Sequence, residues 1–112
     1  MAESKLRDLS TDFSVKIIRF CETIKEHRSL INQLERSATS IGANIYEANY
    51  AHSKADFIAK LQIALKECYE TEYWLDLFLK AGVAEKEQIR DLGNQCGTIR
   101  RILVASINTA KQ

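Results

Sequence analysis

The residues whose type and spacing come nearest to a metal-binding cluster are three glutamates in the second half of the sequence, Glu67, Glu70 and Glu72. Carboxylates on the facing helices of a bundle can hold two metal ions when Glu-x-x-His pairs complete the ligand set. Neither of the two histidines has a glutamate three residues before it. We therefore expect no metal site and interpret these glutamates as structural acceptors or interface residues.

Nucleophilic chemistry also finds little support. The three cysteines, Cys21, Cys68 and Cys96, are odd in number, widely spaced and without a C-x-x-C pair, which argues against a disulfide framework and for a reducing compartment. Cys68 and Cys96 fall on apolar stripes, where cysteine usually behaves as a small hydrophobe. No glycine-rich loop opens a helix, so no phosphate cradle is expected. The sequence predicts no catalytic residue, cofactor or small-molecule substrate, and an enzyme with its site inside the bundle is the weakest alternative.

Polar residues near the predicted core face of two helices form a different kind of candidate site. Asn44 and Glu72 project towards the seam or core of their helices. Because buried polar groups are costly unless they are paired, we expect a hydrogen-bonded and ionic network between helices two and three or across a subunit boundary. For the flanking charges, simple solvation is the alternative. The residues assigned to this network are Arg36, Asn44, Glu47, Glu67, Glu70 and Glu72.

The charge balance excludes a strongly basic protein, because 16 Lys and Arg face 15 Asp and Glu, for a net charge of +1. Any contact with RNA or DNA would need local patches, which an assembly repeats by symmetry. Such binding would be poor in sequence specificity and would weaken steeply with salt. The candidate contacts are Lys16, Arg19, Lys25, Arg28, Lys54, Lys60, Arg100, Arg101 and Lys111.

Four helices account for the whole chain, which lacks proline. The apolar spacing predicts helix one over about Leu6 to Glu26 and helix two from an N-cap at Ser29 to about Tyr50. Helix three begins at Ser53, which with Asp56 resembles a capping box, and ends near Ala81 with Gly82 beyond it. Glu85 and Glu87 suit the start of helix four. Short connections between the helices then predict an all-α fold, with the helices arranged as an antiparallel up-down-up-down four-helix bundle. The bundle would form a single domain over residues 1–112 and would be about 30 to 40 Å long.

Helix two carries an apolar stripe and a second, narrow stripe with small residues beside it. The second stripe comprises Arg36, Ser40, Ala43 and Glu47, and it would let another backbone approach closely. Gly42 lies in the middle of this helix, where it costs up to ~1 kcal/mol relative to alanine. Either a close packing partner compensates that cost or the cost is simply tolerated. The main stripe is expected at Leu30, Leu34, Ser37, Ala38, Ile41, Ile45 and Ala48.

Helix three has a second apolar row, Ile63, Trp74 and Leu77, apart from its main stripe. A helix in a four-helix monomer needs only one broad apolar face, so this row predicts an oligomer interface. The N-terminus has no apolar run before a cleavage site, and no stretch approaches the ~20 apolar residues of a membrane span. We therefore expect a cytoplasmic protein without a membrane partner.

The central half of the chain resembles a family of bacterial four-helix-bundle proteins encoded in intervening sequences of large-subunit ribosomal RNA genes. The motif R-S-x-T-S-I-G-A-N-I-x-E-A matches Arg36 to Ala48, and S-K-x-D-F-I matches Ser53 to Ile58. Two further motifs, I-A-L-K-E and E-T-x-Y-W-L, match Ile63 to Glu67 and Glu70 to Leu75. Both the order and the spacing of the four motifs agree with the family pattern.

The resemblance implies an antiparallel four-helix bundle that assembles into a ring, a homopentamer in characterised relatives, and it brings no catalytic residues. By the same resemblance, the superfamily includes the accessory protein of diversity-generating retroelements, a basic pentameric barrel that binds a reverse transcriptase and nucleic acid. The near-neutral charge of this chain departs from that accessory pattern. The leading interpretation is therefore a non-enzymatic, self-assembling binding or scaffold protein. The alternative is a nucleic-acid-binding accessory protein that acts with a reverse transcriptase or RNA.

Overall fold

The protein folds as four antiparallel helices. The computed structural model describes residues 2–112, with side chains from residue 5 onward. The helices are α1 (Ala2–Glu22), α2 (Arg28–Ala48), α3 (Lys54–Ala81) and α4 (Lys86–Lys111). Each helix packs against the two that are adjacent to it around the bundle, with α1 closing onto α4. The rod measures 43 × 20 × 19 Å, and the predicted fold class is confirmed.

The boundary between α1 and α2 differs from the sequence prediction. α1 ends at Glu22, four residues before the predicted end, because its last turn tightens. The hydroxyl of Thr23 donates to the carbonyl of Phe20 at 2.6 Å, and the backbone N–H of Ile24 bonds to the carbonyl three residues back. His27, and not Ser29, occupies the N-cap position of α2, with a left-handed φ of 60° and no capping side-chain bond.

The two ends of α3 agree with their sequence signals. The Ser53 hydroxyl accepts a hydrogen bond from the Asp56 backbone N–H at 3.1 Å, which satisfies one of the free donors in the first turn. At the other end, Gly82 has a left-handed φ of 68°, and its N–H and that of Val83 bond back to the last turn. This arrangement is typical of a glycine C-cap.

One apolar core runs through the bundle and includes Phe13, Phe20, Leu34 and Leu103. Burial of each such side chain contributes roughly 1.5–3 kcal/mol. On α2 the buried stripe follows the prediction with one change: Ile31 is buried, whereas Leu30 is only partly covered. On α3 the stripe widens towards α2 through two residues that the sequence pattern did not assign, the fully buried Thr71 and Phe78.

Gly42 lies at the contact between α1 and α2. A Cβ at this position would be 3.4 Å from the Ser14 hydroxyl and 3.6 Å from the Ser10 carbonyl oxygen. These are ordinary van der Waals distances, so α1 is a close neighbour that would still accommodate alanine. The glycine therefore marks a tight seam between the first two helices.

Candidate interaction surfaces

Four side chains connect α2 to α3 along the outer edge of the bundle. Arg36 forms an ion pair and hydrogen bond with Glu70, and its guanidinium also lies 3.6 Å from the carboxylate of Glu67. The indole N–H of Trp74 donates to Glu70 at 3.0 Å. The Glu67 side chain is only 17% exposed, so this acid depends on its partners more than a solvated surface acid does.

Asn44 joins this cluster through an intermediate residue that the sequence analysis did not assign to the network. The Ser40 hydroxyl donates to Glu67 at 3.1 Å, and the Asn44 amide lies 3.1 Å from that hydroxyl and 2.9 Å from the Ser40 carbonyl oxygen. Glu47 lies further along the same edge and forms a separate ion pair with Lys60 at 3.2 Å. The structure thus places five of the six network residues along one edge, in two groups.

The sequence analysis grouped Glu72 with the network between α2 and α3, but the structure pairs this residue with α4. Its side chain points to α4, where the guanidinium of Arg100 donates to it at 2.9 Å. Glu72 is two positions after Glu70, a rotation of ~200° around a helix, so the two glutamates cannot face the same neighbour. The guanidinium of Arg100 also lies 5.9 Å from the ring centre of Tyr69, within cation–π distance. It lies beside Gly97, where a Cβ would be 3.5 Å from it and 3.3 Å from the guanidinium of Arg101.

We call the polar residues between α2 and α3, Arg36, Ser40, Asn44, Glu67, Glu70 and Trp74, the α2–α3 edge. Its electrostatics favour the ionised form of Glu70. The hydrogen bond from Trp74, and then the bond and charge of Arg36, hold the pKa of Glu70 below its usual value although partial burial acts in the opposite direction. The bond with Glu70 raises the pKa of Arg36 in turn. The edge is therefore a fixed array of charges at neutral pH.

Helix α3 presents an apolar row to the outside of the bundle. Ile63 is 43% exposed, whereas Trp74 packs against the core and Leu77 is partly buried. Tyr73, which the sequence analysis did not assign, is 58% exposed and contacts Trp74 edge-on with ring centres 5.0 Å apart. We name the outward row of α3 the α3 ridge; its members are Ala59, Ile63, Lys66, Glu70, Tyr73 and Leu77.

A second exposed apolar face, on α1 and α2, was missed by the sequence analysis. Val15 and Ile18 of α1 are 48% and 38% exposed, and Tyr46 of α2 is 52% exposed. Tyr46 packs against Tyr50 with ring centres 5.3 Å apart. The sequence did contain a signal for this face, because these apolar residues recur three or four positions apart beside the core stripe. The core stripe has the same helical spacing, so the second face was overlooked.

The basic residues considered for nucleic-acid contact do not gather on one face. Lys16 and Arg19 pair with acids on α1 itself, and Lys60 and Arg100 pair with Glu47 and Glu72. Lys54 donates to the main-chain carbonyl of Gln112 at 3.2 Å, next to the exposed Lys111. The remaining members, Lys25, Arg28 and Arg101, lie at the α1–α2 end of the bundle or on α4.

The thiols occupy positions that oppose reactivity. Burial, with the nearby Glu35 carboxylate, raises the pKa of Cys21 to about 12. Cys68 and Cys96 are fully buried between α3 and α4, where a hydrogen bond with Cys68 and burial raise the pKa of the Cys96 thiol above its usual value. Within residues 2–112, the described side chains contain no cluster of three or more His, Cys, Asp or Glu that could bind a metal ion.

These features define an antiparallel four-helix bundle whose polar clusters tie helices together and whose outer faces carry exposed apolar side chains. None of the helices described over residues 2–112 is long and apolar enough to cross a membrane. Residues 2–105 match the family model of the 23S rRNA-intervening sequence proteins. The chain belongs to this family, as its central motifs predicted.

A solved structure has the same fold over nearly its full length. It is the crystal structure of a protein of unknown function from the S23 ribosomal protein family of Bacteroides thetaiotaomicron. The two sequences are 40% identical, the match covers 96% of this chain and 99% of that chain, and the TM-score is 0.91. Among curated proteins, none matches this sequence.

Proposed function

We propose that the protein is a non-enzymatic, self-assembling helical bundle that acts as a binding scaffold in the cytoplasm. The observation that carries this proposal is the α3 ridge, where Ile63 and Tyr73 stand exposed on the outer side of a helix whose core-facing side is already fully packed. Exposed aromatic and aliphatic residues grouped on one surface commonly mark protein interaction sites.

The α2–α3 edge supports the same function by holding the ridge in position. Two charged residues, Lys66 and Glu70, lie within the ridge. Glu70 is fixed by Arg36 and Trp74, so this acid is already paired before a partner arrives. A paired charge costs less to bury at an interface than a free one. The three free, buried cysteines agree with a reducing compartment.

Nucleic-acid binding, alone or beside a reverse transcriptase, is the alternative function and has weaker support. Four of the nine basic residues considered for it are neutralised by acids of the same chain. Phosphate contacts require cations that are free to replace counterions. An assembled surface would have to draw mainly on the other five, which are Lys25, Arg28, Lys54, Arg101 and Lys111.

The test is the absolute mass of the purified protein by light scattering after size exclusion, with and without a generic RNA. We expect an assembly of several 12.8 kDa chains, with a homopentamer as the specific expectation, and no co-eluting RNA at physiological salt. A 12.8 kDa monomer at all concentrations would overturn the scaffold proposal. RNA that co-elutes at low salt and is released at high salt would favour the alternative.

A pair of matched variants locates the interface. Ile63→Gln removes an exposed apolar residue from the ridge, and Val104→Gln removes one that is 37% exposed on α4. Loss of a central apolar contact typically costs ~1–2 kcal/mol, so Ile63→Gln should weaken association roughly tenfold. Val104→Gln should leave the mass unchanged. Equal effects of the two substitutions would mean that the ridge is not the interface.

A further inference from the structure

We propose that Arg100 and Arg101 of α4 form a binding site for the phosphate group of a small phosphomonoester. Their guanidinium groups converge over Gly97, where a Cβ would lie 3.3 Å from Nη1 of Arg101 and 3.5 Å from Nη2 of Arg100. Both cations therefore lie over the same turn of α4, and we call these two residues the arginine pair. The site is separate from the α3 ridge and does not depend on self-assembly.

The arginine pair carries an excess of positive charge. Nε of Arg100 donates to the two carboxylate oxygens of Glu72 at 2.9 and 3.3 Å. Arg101 forms no ion pair with any acid among the side chains that the structure describes. One carboxylate thus serves two neighbouring cations. Because like charges this close repel each other, a second anion at this position is favourable.

Both guanidinium groups have contacts that fix their positions before a ligand arrives. Arg100 lies 5.9 Å from the ring centre of Tyr69, and its side chain is only 29% exposed. Nη2 of Arg101 donates to the Thr98 hydroxyl at 3.3 Å, and that hydroxyl donates in turn to the carbonyl of Asn94 at 3.1 Å. A ligand that binds side chains already in position loses less free energy to their ordering.

The donors of the arginine pair suit a phosphate better than a carboxylate. A carboxylate has two oxygens, which a single guanidinium can bind side by side. A phosphate group at pH 7 has three strong acceptor oxygens and a charge of roughly −2, so one group can accept hydrogen bonds from both arginines. Arg100 holds Glu72 through Nε, and its Nη groups remain as donors for the phosphate.

A cleft next to the arginine pair determines the size of the ligand. It lies between α3 and α4, has a volume of about 320 Å³ and includes Glu72 in its lining. Asp76, Arg90 and Asn94 also line it and provide hydrogen-bonding groups for a hydroxylated molecule. Clefts of about 300 Å³ and above accommodate small organic ligands. A sugar phosphate held by the arginine pair would place its sugar at this cleft.

Calorimetric titration of the protein with three probes tests the site. The probes are ribose phosphorylated on its primary hydroxyl, inorganic phosphate and ribose itself. Arg101→Gln removes the exposed member of the pair. Arg100→Gln combined with Glu72→Gln removes the other member without leaving a lone charge. Arg28→Gln is the matched control, because it removes the same charge from an exposed position at the start of α2.

We expect the wild type to bind one ribose phosphate per chain, to bind inorganic phosphate more weakly and not to bind ribose. Arg101→Gln and the double variant should each weaken binding roughly tenfold or more, because each loses charge-assisted hydrogen bonds. Arg28→Gln should bind as the wild type does. Thermal unfolding without ligand verifies that each variant is folded, and ribose phosphate should raise the melting temperature of the wild type and the control.

Three results would overturn the proposal. The first is the absence of both a heat of binding and a rise in melting temperature with either phosphate probe. The second is an equal loss of affinity in Arg28→Gln, which would indicate a general attraction between the anion and the protein. The third is RNA binding that Arg101→Gln abolishes while neither phosphate probe binds, which would assign the arginine pair to a nucleic acid.

A further comparison identifies the source of the phosphate. Tighter binding of ribose phosphate than of inorganic phosphate supports a phosphomonoester whose sugar occupies the cleft. Equal affinities would overturn that part of the proposal and assign the site to free phosphate. Each result is independent of the oligomeric state, so failure of this proposal leaves the proposed function unaffected.

Discussion

Ser37 of α2 and Thr71 of α3 bring their hydroxyl oxygens to 2.9 Å from each other inside the bundle, where both residues are fully buried. The Ser37 hydroxyl also donates to the carbonyl of Leu34 at 3.2 Å, which leaves Thr71 as the donor between the two hydroxyls. This contact lies next to the Arg36 ion pair, so α2 and α3 are joined by polar bonds both inside the core and at its edge.

The Ser37–Thr71 pair yields the first prediction. Ser37→Ala leaves the buried Thr71 hydroxyl without its acceptor and should lower the free energy of unfolding by about 1–3 kcal/mol. Thr71→Val removes the donor, and Ser37 keeps its bond to Leu34, so the loss should be about 1 kcal/mol. The double variant should lose less than the sum, as measured by urea unfolding in a double-mutant cycle. Strictly additive losses would mean that the two hydroxyls do not interact.

Glu70 should make stability depend on pH. Its pKa is lower in the folded protein than in the unfolded chain, chiefly because of Trp74 and then Arg36, so its contribution is present at neutral pH and is lost as pH falls through the folded pKa. We expect the free energy of unfolding to decrease below about pH 5, near the unperturbed glutamate range.

The comparison variant for that prediction is Glu70→Gln. It should be less stable than the wild type by about 0.5–1 kcal/mol at pH 7, and the difference should shrink as the solution is acidified. Asp76→Asn is the control, because Asp76 forms an exposed pair with Lys80 that should contribute little. A constant difference between Glu70→Gln and wild type from pH 7 to pH 3 would contradict the assignment.

The sequence predicted the number, order and antiparallel packing of the helices, because the spacing of apolar residues and the length of the connections can be read directly from it. It also located both ends of α3, where Ser53 and Gly82 act through their own side chain or backbone. The end of α1 was misplaced because no proline or glycine marks it. The tightening there comes from Thr23 and from the left-handed conformation of His27, which composition does not reveal.

The candidate site was predictable only in part, for a geometrical reason. Helical spacing grouped Arg36 with Glu67 and Glu70 because these residues flank one seam. Glu72 was misassigned because periodicity places a residue on its own helix but does not decide which neighbouring helix it faces. Its pairing with Arg100 depends on the packing of α3 against α4, which emerges only when the bundle is assembled.

Two glycines give opposite predictions for alanine substitution. A Cβ at Gly93 would meet nothing within 4 Å, so Gly93→Ala should stabilise α4 by about 0.5–1 kcal/mol through helix propensity. Gly82 has a φ of 68°, a conformation that costs L-residues with a side chain roughly 1–2 kcal/mol, so Gly82→Ala should destabilise the protein. Thermal unfolding measures both effects. A lower melting temperature for Gly93→Ala would indicate that this position contacts a partner in solution.

The three thiols should report on unfolding. Cys21 has a pKa of about 12 and lies in the last turn of α1, whereas Cys68 and Cys96 are fully buried between two well-packed helices. At pH 8 a thiol with such a pKa is a thiolate roughly a thousandfold less often than an ordinary cysteine, and the thiolate is the reactive form.

In the native protein we therefore expect slow modification by an aromatic disulfide reagent, with Cys21 reacting first through fraying of the helix end. All three should react at once in denaturant. The Cys21→Ser variant, as the control, should retain only the two slowest thiols, and rapid labelling of that folded variant would show that α3 and α4 separate more readily than their packing indicates.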